Sequence, residues 1–222
     1  MPYNKRQWGV LLTKAFLRLA IILSALAATA IASQPVPIGD FSNPTLAGWE
    51  PQIFVGETRY SVAPATPGTT EATISAQAMS SASGLVIRQT IDLTKTPFLS
   101  WSWRANRLPE VDNEREKPGD DYAARVYVIF DAGVFKWRSR ALNYVWASNQ
   151  PKGSDWPNPY ATKNMRMLAL RNHSDVVDSQ QSPLLPEKRN VREDFQRLFG
   201  RDIKKIHAVA IMTDADNSQS TA

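Results

Sequence analysis

Short stretches in which apolar and polar residues alternate make up most of the chain after residue 33. Such alternation is typical of β-strands with one buried face, and clusters of Gly, Pro, Asn and Ser separate the stretches as turns would. The pattern predicts ten strands, at 36–41, 52–55, 58–63, 71–78, 85–93, 98–104, 122–131, 140–147, 164–171 and 205–213. Because helices do not alternate with these strands, we predict an all-β fold, an antiparallel β-sandwich of jelly-roll type.

One segment carries the signals of a short helix packed on this sandwich. Asn190 is a suitable N-cap, Glu193 follows three residues later as in a capping box, and Gly200 is a suitable stop. Three apolar side chains between these residues share one helical face. They are Phe195, Leu198 and Phe199.

Other patterns indicate which residues are buried. Residues 206–212 (IHAVAIM) are apolar on both faces of their strand, which is typical of a central strand. Trp101 and Trp103 alternate with serine, so we expect them in the core. Trp137 and Trp156 lie among turn residues, where a ring serves either as a stacking surface for a sugar or as a lid over the sandwich.

Polar side chains fall opposite the core face on several predicted strands. If these strands are neighbours, the side chains form a common polar face that suits a sugar; the alternative is an ordinary solvated sheet face. The long connections 105–121, 148–163 and 172–189 are the segments near which binding is expected. The predicted ligand-binding residues are Arg104, Asp121, Arg125, Tyr127, Asn143 and Arg166.

The surroundings of Arg125 can be predicted more closely. Asp120 and Asp121 are adjacent carboxylates that repel each other unless a cation or donors neutralise them. On an extended strand, Arg125 lies about 13 Å from Asp121, which is too far for a direct pair. We therefore predict that Arg125 reaches a carboxylate on a neighbouring strand or loop, and that Asp121 accepts backbone N–H groups in its turn. The alternative is that both are independently solvated.

The first 32 residues have the features of a signal peptide. A basic segment precedes an apolar run at 19–32 that ends in Ala30-Ile31-Ala32, so cleavage is expected before Ser33. The alternative is an uncleaved anchor, but a span needs about 20 apolar residues and this run has 14. We predict a signal peptide at 1–32, one β-sandwich domain at 33–222, a periplasmic or secreted location, and no stable membrane span after cleavage.

Charge and composition exclude several classes of protein. The first 32 residues hold four of the 26 basic residues and none of the 21 acidic ones, so the remainder is nearly neutral and unlike a nucleic-acid binder. The chain has no cysteine, two histidines, no G-x-S-x-G motif and no glycine-rich nucleotide loop. We therefore predict no cofactor and no metal centre of the zinc type.

Glu110, Asp112 and Glu114 form the one pattern with catalytic potential. On a strand, these alternate residues project three carboxylates to one face, as retaining glycosidases require. The pattern resembles the E-x-D-x-E strand motif of laminarinase-type glycoside hydrolases, which are jelly rolls. Asn113 stands where that motif has an apolar residue, and charged residues surround the segment, so the alternative is a solvated loop.

Asp214 and Asp216 follow the predicted central strand and offer clustered oxygen ligands. Calcium needs six to eight oxygens, and Asp and Asn also serve simply as turn formers. The sequence leaves both interpretations open.

Three motifs resemble a bacterial family of exported proteins known as a domain of unknown function. They are 118–128 (PGDDYAARVYV), 143–146 (NYVW) and 211–217 (IMTDADN), in an order that covers most of residues 37–217. The resemblance implies a β-sandwich similar to galactose-binding domains and no particular activity. It also implies one further strand after residue 217, which leaves a sandwich that lacks its last strand or a frayed C-terminus as alternatives.

Together these features favour an exported, non-catalytic domain that binds a carbohydrate or another polar ligand of the cell envelope. The first alternative is a glycoside hydrolase that uses Glu110 and Glu114. The second is a structural envelope protein that docks on a protein partner. The expected partner is a polysaccharide or envelope glycan rather than a nucleic acid, and the sequence does not indicate an oligomeric state.

Overall fold

The computed structural model of the protein describes residues 34–39, 41, 45–65, 72–134, 138–177 and 182–222. In these residues, eleven strands and one α-helix follow one another along the chain. The strands are β1 (Glu50–Val55), β2 (Arg59–Ala63), β3 (Thr73–Gln77), β4 (Ala82–Asp92), β5 (Phe98–Trp103), β6 (Tyr122–Phe130), β7 (Arg140–Trp146), β8 (Asp155–Pro157), β9 (Met165–Arg171), β10 (Leu185–Asn190) and β11 (Lys205–Asp214). The helix, α1, is Val191–Phe199.

Seven of the strands form one large sheet in the order β1-β4-β11-β6-β7-β9-β8, and β5 pairs with β10 and β2 with β3 in two smaller sheets. The protein is therefore mostly β with one α-helix among the described residues, as the pattern predicts. The central position predicted for the strand at 206–212 is also confirmed, because β11 lies between β4 and β6.

The wholly antiparallel pairing that we expected is wrong at one place. Strands β7 and β9 pair in parallel, because the connection between them contains β8, which turns back along β9. Side chains alternate in the same way in parallel and antiparallel strands, so the alternation does not show the direction in which two strands pair.

The strand boundaries show where alternation is a weak signal. No strand forms among the described residues of 36–41. Strands β8 and β10 were not predicted, since β8 has three residues and β10 (LPEKRN) is rich in charges. Strand β10 exists because its backbone pairs along the whole length of β5.

The main core lies between the large sheet and a second layer made of β5 and α1. Leu99 and Trp103 of β5 and Phe195 of α1 are buried against residues of β4, β6, β7, β9 and β11. The rings of Trp101 and Tyr144 are 5.3 Å apart, and the two indoles of Trp103 and Trp146 are 5.7 Å apart. The predicted core position of Trp103 is confirmed, and Trp101 is partly buried against the same core.

A second, smaller core covers the opposite face of the large sheet. Val145 of β7, Met167 of β9 and Trp156 of β8 are buried there together with Tyr122. Strands β7 and β9 are therefore covered on both faces, and the face predicted to be polar is not a solvated surface. Trp156 is 2% exposed, so it fills this core and offers no stacking surface.

The predicted helix is confirmed in position, in its N-cap residue Asn190 and in its final glycine. The side chain of Asn190 accepts a hydrogen bond from the backbone N–H of Glu193, and Gly200 closes the helix with a φ of 64°. Asp194 joins the helix to the large sheet, since its carboxylate accepts the Tyr144 hydroxyl at 2.8 Å and the Arg189 guanidinium at 2.6 Å.

Residues 33–222 form one compact unit. No helix in the described ranges has the length and hydrophobicity needed to cross a membrane. The predicted signal peptide, its cleavage site and Trp137 lie outside the described residues.

The Asp194 contact predicts a large effect of a single substitution. In Asp194→Ala, the Tyr144 hydroxyl and the Arg189 guanidinium lose their buried acceptor, which should lower the free energy of unfolding by about 2–4 kcal/mol. The neighbouring Glu193→Ala is the control, because Glu193 is exposed. Chemical denaturation of both variants checks this, and equal small losses would show that Asp194 does not hold the helix.

Candidate functional site

Strand pairing brings three of the predicted site residues onto one face of the large sheet. Tyr127 of β6 lies directly opposite Asn143 of β7, and Arg125 is two residues from Tyr127. Arg125 is 3% exposed and Asn143 is fully buried, whereas Tyr127 is half-buried. These side chains therefore lie on a covered face of the sheet and do not form an open polar surface.

Two of the predicted residues lie elsewhere. Arg104 follows β5, which pairs with β10 and not with the large sheet, and its guanidinium donates to the carbonyl of Ser182. Arg166 pairs with Leu142 of β7, so it lies on the face opposite Asn143, where it forms an ion pair with Asp155. The predicted common polar face is thus wrong for Arg104, which follows a strand of another sheet, and for Arg166, because β9 has apolar residues on both faces and its alternation does not show which face Arg166 occupies.

Arg125 is the centre of a buried network. Its Nε donates to Asp214 Oδ1 at 2.9 Å, and one terminal nitrogen donates to Asp214 Oδ2 and to the carbonyl oxygen of Asp120. The other terminal nitrogen donates to the hydroxyl of Tyr127 at 3.1 Å. The guanidinium carbon lies 4.2 Å from the centre of the Tyr122 ring. The prediction that Arg125 reaches a carboxylate on a neighbouring strand is confirmed, since Asp214 ends β11.

A β-bulge explains how Arg125 and Asp214 meet. Met212 pairs with Arg125 and Asp214 with Tyr122, so β6 has one residue more than β11 between these pairs. A bulge reverses the alternation of the strand that contains it. Tyr122 therefore joins Arg125 on the covered face, although strict alternation puts it with Val126 in the main core.

The two carboxylates before β6 bind different parts of the chain. Asp121 accepts the backbone N–H groups of Asn217 at 3.2 Å and Ser218 at 2.6 Å, and also the side-chain amide of Asn217. Asp120 accepts the side-chain amide of Asn158 at 3.1 Å. The prediction that Asp121 accepts backbone N–H groups is confirmed, but the donors come from the segment after β11 and not from its own turn.

The electrostatics of the site are dominated by carboxylates. Asp120, Asp121, Asp214 and Asp216 surround the single guanidinium of Arg125. Burial raises the pKa of Asp214, and the guanidinium of Arg125 opposes this rise. Burial also raises the pKa of Asp120 and, together with the charge of Asp121, that of Asp216. One guanidinium faces four carboxyl groups, so the group carries an excess of negative charge when these carboxyls are ionised.

Three of these carboxylates stand close enough to share a cation. Oxygen atoms of Asp121, Asp214 and Asp216 lie within 4.8 Å of one another. Both oxygens of Asp121 already accept backbone N–H groups, and both oxygens of Asp214 accept the guanidinium of Arg125. A calcium ion, which needs six to eight oxygens, would have to share these acceptors.

An exposed aromatic ring stands above the carboxylates. Tyr160 is 58% exposed, and its hydroxyl donates to Asn217 Oδ1 at 2.8 Å. The backbone N–H of Tyr160 donates to Asn158 Oδ1 at 3.0 Å, and the ammonium of Lys117 lies 5.2 Å from the centre of the ring. Partial burial and the charges of Asp120 and Asp216 raise the pKa of Tyr160.

Sequence reasoning missed Tyr160 as a site residue. The length of the connection 148–163 predicts binding there, but the aromatic residue that its sequence singles out is Trp156. Only its exposure distinguishes Tyr160 from Trp156, and exposure depends on how the connection folds.

The carboxylates of the hydrolase alternative do not form a row on a strand. Residues 110–114 have no strand structure, and Glu110 and Asp112 are exposed. Glu114 is fully buried, and its carboxylate accepts the backbone N–H groups of Ser148 at 2.6 Å and Asn149 at 2.7 Å. Glu114 thus joins two connections, and the paired geometry that a retaining glycosidase needs is not formed.

Fold and site together define a β-rich domain whose loop end carries a buried Arg–Asp network beneath an exposed tyrosine. The chain belongs to the family described as Protein of unknown function (DUF3047), whose model matches residues 47–222 and so includes every strand, the helix and the site. No curated protein matches the chain.

The buried network predicts a strong effect of removing Arg125. In Arg125→Ala, the buried carboxylates of Asp214 and Asp120 lose their counter-charge, which should lower the free energy of unfolding by about 3 kcal/mol or more. Arg88→Ala is the control: its ion pair with Glu50 is exposed and should contribute less than about 1 kcal/mol. Urea denaturation measures both values, and similar losses in the two variants would contradict a structural role of the network.

The raised pKa values predict that stability falls as the pH rises. Asp120, Asp214 and Asp216 bind protons more tightly in the folded protein than in the unfolded chain, so the stability that they contribute is complete near pH 4 and is lost as the pH rises through their raised pKa values. We expect the thermal midpoint to decrease between about pH 5 and pH 8, and to decrease less in Asp216→Asn. Asp202→Asn is the control, since the pKa of exposed Asp202 is lowered and its titration is complete below this range. A midpoint that rises with pH would refute this account.

Proposed function

We propose that the protein is an exported binding domain for a carbohydrate or another polar ligand. The ligand would bind at the surface formed by Lys117, Tyr160, Asp216 and Asn217, which we call the Tyr160 surface. The observation that carries the proposal is the exposed ring of Tyr160 among hydrogen-bonding side chains, next to a buried network of carboxylates and Arg125. The basic, apolar leader supports the exported location, and a galactose-binding-like sandwich is part of the same proposal.

The chemistry of the Tyr160 surface suits a sugar. A sugar ring has an apolar face of C–H groups that can stack on an aromatic ring, and hydroxyl groups at its edge that need donors and acceptors. Asp216 and Asn217 are half-buried beside Tyr160, and Lys117 is exposed. These three side chains offer an anionic acceptor, an amide and an ammonium donor.

The hydrogen bonds that hold Tyr160 in place favour ligand binding with little loss of side-chain entropy. Hydrogen bonds at both ends of the residue, to Asn158 and to Asn217, restrict the orientation of the ring. Asn217 is itself held by the buried carboxylate of Asp121. A surface that is ordered before binding loses fewer side-chain rotamers when the ligand arrives.

Glycan binding tests the proposal. We expect the full chain to bind at least one oligosaccharide of an envelope or plant polysaccharide panel, and Tyr160→Ala to bind it about tenfold more weakly because the stacking surface is lost. Tyr160→Phe should retain most of the affinity. Phe98→Ala is the matched control, since Phe98 is also an exposed aromatic residue, at 55%. The proposal fails if no glycan of the panel binds, or if calorimetry gives Tyr160→Ala the affinity of the unchanged protein.

A further inference from the structure

We infer that the Tyr160 surface prefers a ligand that carries an ammonium group, such as an amino sugar with a free amine, over a neutral or anionic ligand. This inference rests on the proposed function and names the chemical class of its ligand. An aromatic face and nearby carboxylates are the two features with which proteins attract such cations.

The first observation is that the Tyr160 ring already has a cation next to it. The Lys117 ammonium lies 5.2 Å from the centre of the ring, within the distance at which a cation is attracted by the electrons of an aromatic face. Lys117 is exposed, so a ligand can displace its ammonium without breaking the core. The ring thus already accepts a cation, and this cation comes from an exposed side chain of the same protein.

The second observation is the sign of the charge beneath the ring. Together with partial burial, the charges of Asp120, Asp121 and Asp216 all raise the pKa of the Tyr160 hydroxyl, and the charge of Arg125 lowers it. Hydrogen bonds donated by Asn158 to Asp120, and by Asn217 and Ser218 to Asp121, occupy oxygens of these two carboxylates but do not cancel their charges. The remaining field attracts a cation at the surface and repels a carboxylate or sulfate group.

The hydrogen bonds that the carboxylate oxygens already accept favour an ammonium over a metal ion as the ligand. A divalent ion would need several free oxygens, whereas the oxygens of Asp121 and Asp214 already accept hydrogen bonds from the chain. An ammonium needs only one or two acceptors and an aromatic face. Asp216 is half-buried at the rim and can supply such an acceptor.

Lys117 has a further consequence for affinity. A cationic ligand must displace its ammonium and is repelled by it, whereas a neutral sugar is not repelled. Removal of the Lys117 charge should therefore strengthen binding of an amine ligand specifically. A residue that merely contacts any sugar would not produce this increase.

Calorimetric titration of three matched oligosaccharides tests the inference. The probes are a β-1,4-glucosamine oligomer with protonated amines, its fully N-acetylated counterpart and an oligogalacturonate. We expect the amine oligomer to bind at least about fivefold more tightly than the neutral one, and the anionic one to bind most weakly. Lys117→Gln should raise the affinity for the amine oligomer and increase the ratio of this affinity to that for the neutral oligomer, and Asp216→Asn should decrease the same ratio.

Lys188→Gln is the matched control. Lys188 lies 4.9 Å from the ring of Phe98 in the same kind of contact, on β10. Equal or tighter binding of the neutral oligomer would overturn the inference while the proposed function stands. A loss of amine affinity in Lys117→Gln would also overturn it. If none of the three oligosaccharides and no other glycan binds, the proposed function fails, and the inference fails with it.

Discussion

The buried ion pair between Arg125 and Asp214 is the interaction on which the loop end of the molecule depends. A charge removed from water costs several kcal/mol unless an opposite charge and hydrogen bonds replace the solvent. Arg125 meets this condition with the Asp214 carboxylate, the Asp120 carbonyl and the Tyr127 hydroxyl. Through these partners, one side chain on β6 fixes the end of β11 and the turn that leads into β6.

Buried carboxylates join the segments around this pair, next to the second core. Asp120 holds the connection before β9 through Asn158, and Asp121 holds residues 217–218. Glu114 holds residues 148–149 in the same way, through backbone N–H groups. These hydrogen bonds order the long connections, and the carboxylates that accept them give an excess of negative charge near the exposed ring of Tyr160 when they are ionised.

The alternation of apolar and polar residues predicted which face of the sheet a side chain occupies only where the strand pairing is regular. The bulge in β6 moves Tyr122 to the face of Arg125, and the parallel pairing of β9 places Arg166 opposite Leu142. Neither the bulge nor the parallel pairing can be predicted from the order of apolar and polar residues. Strand β10 shows the converse case, since a charged segment becomes a strand because β5 offers it a complete set of backbone partners.

The sequence by itself determined the β-rich architecture, the capped helix at 191–199, the central strand and the core tryptophans. These features depend on residues within four positions of one another, whose spacing sets which face is apolar and where a helix can begin or end. The tertiary structure alone decided that Arg125 pairs with Asp214, that Glu114 and Asn143 are buried, and that Tyr160 remains exposed. Arg125 and Asp214 lie 89 positions apart, and contacts at that distance depend on which strands become neighbours, in which direction and in which register.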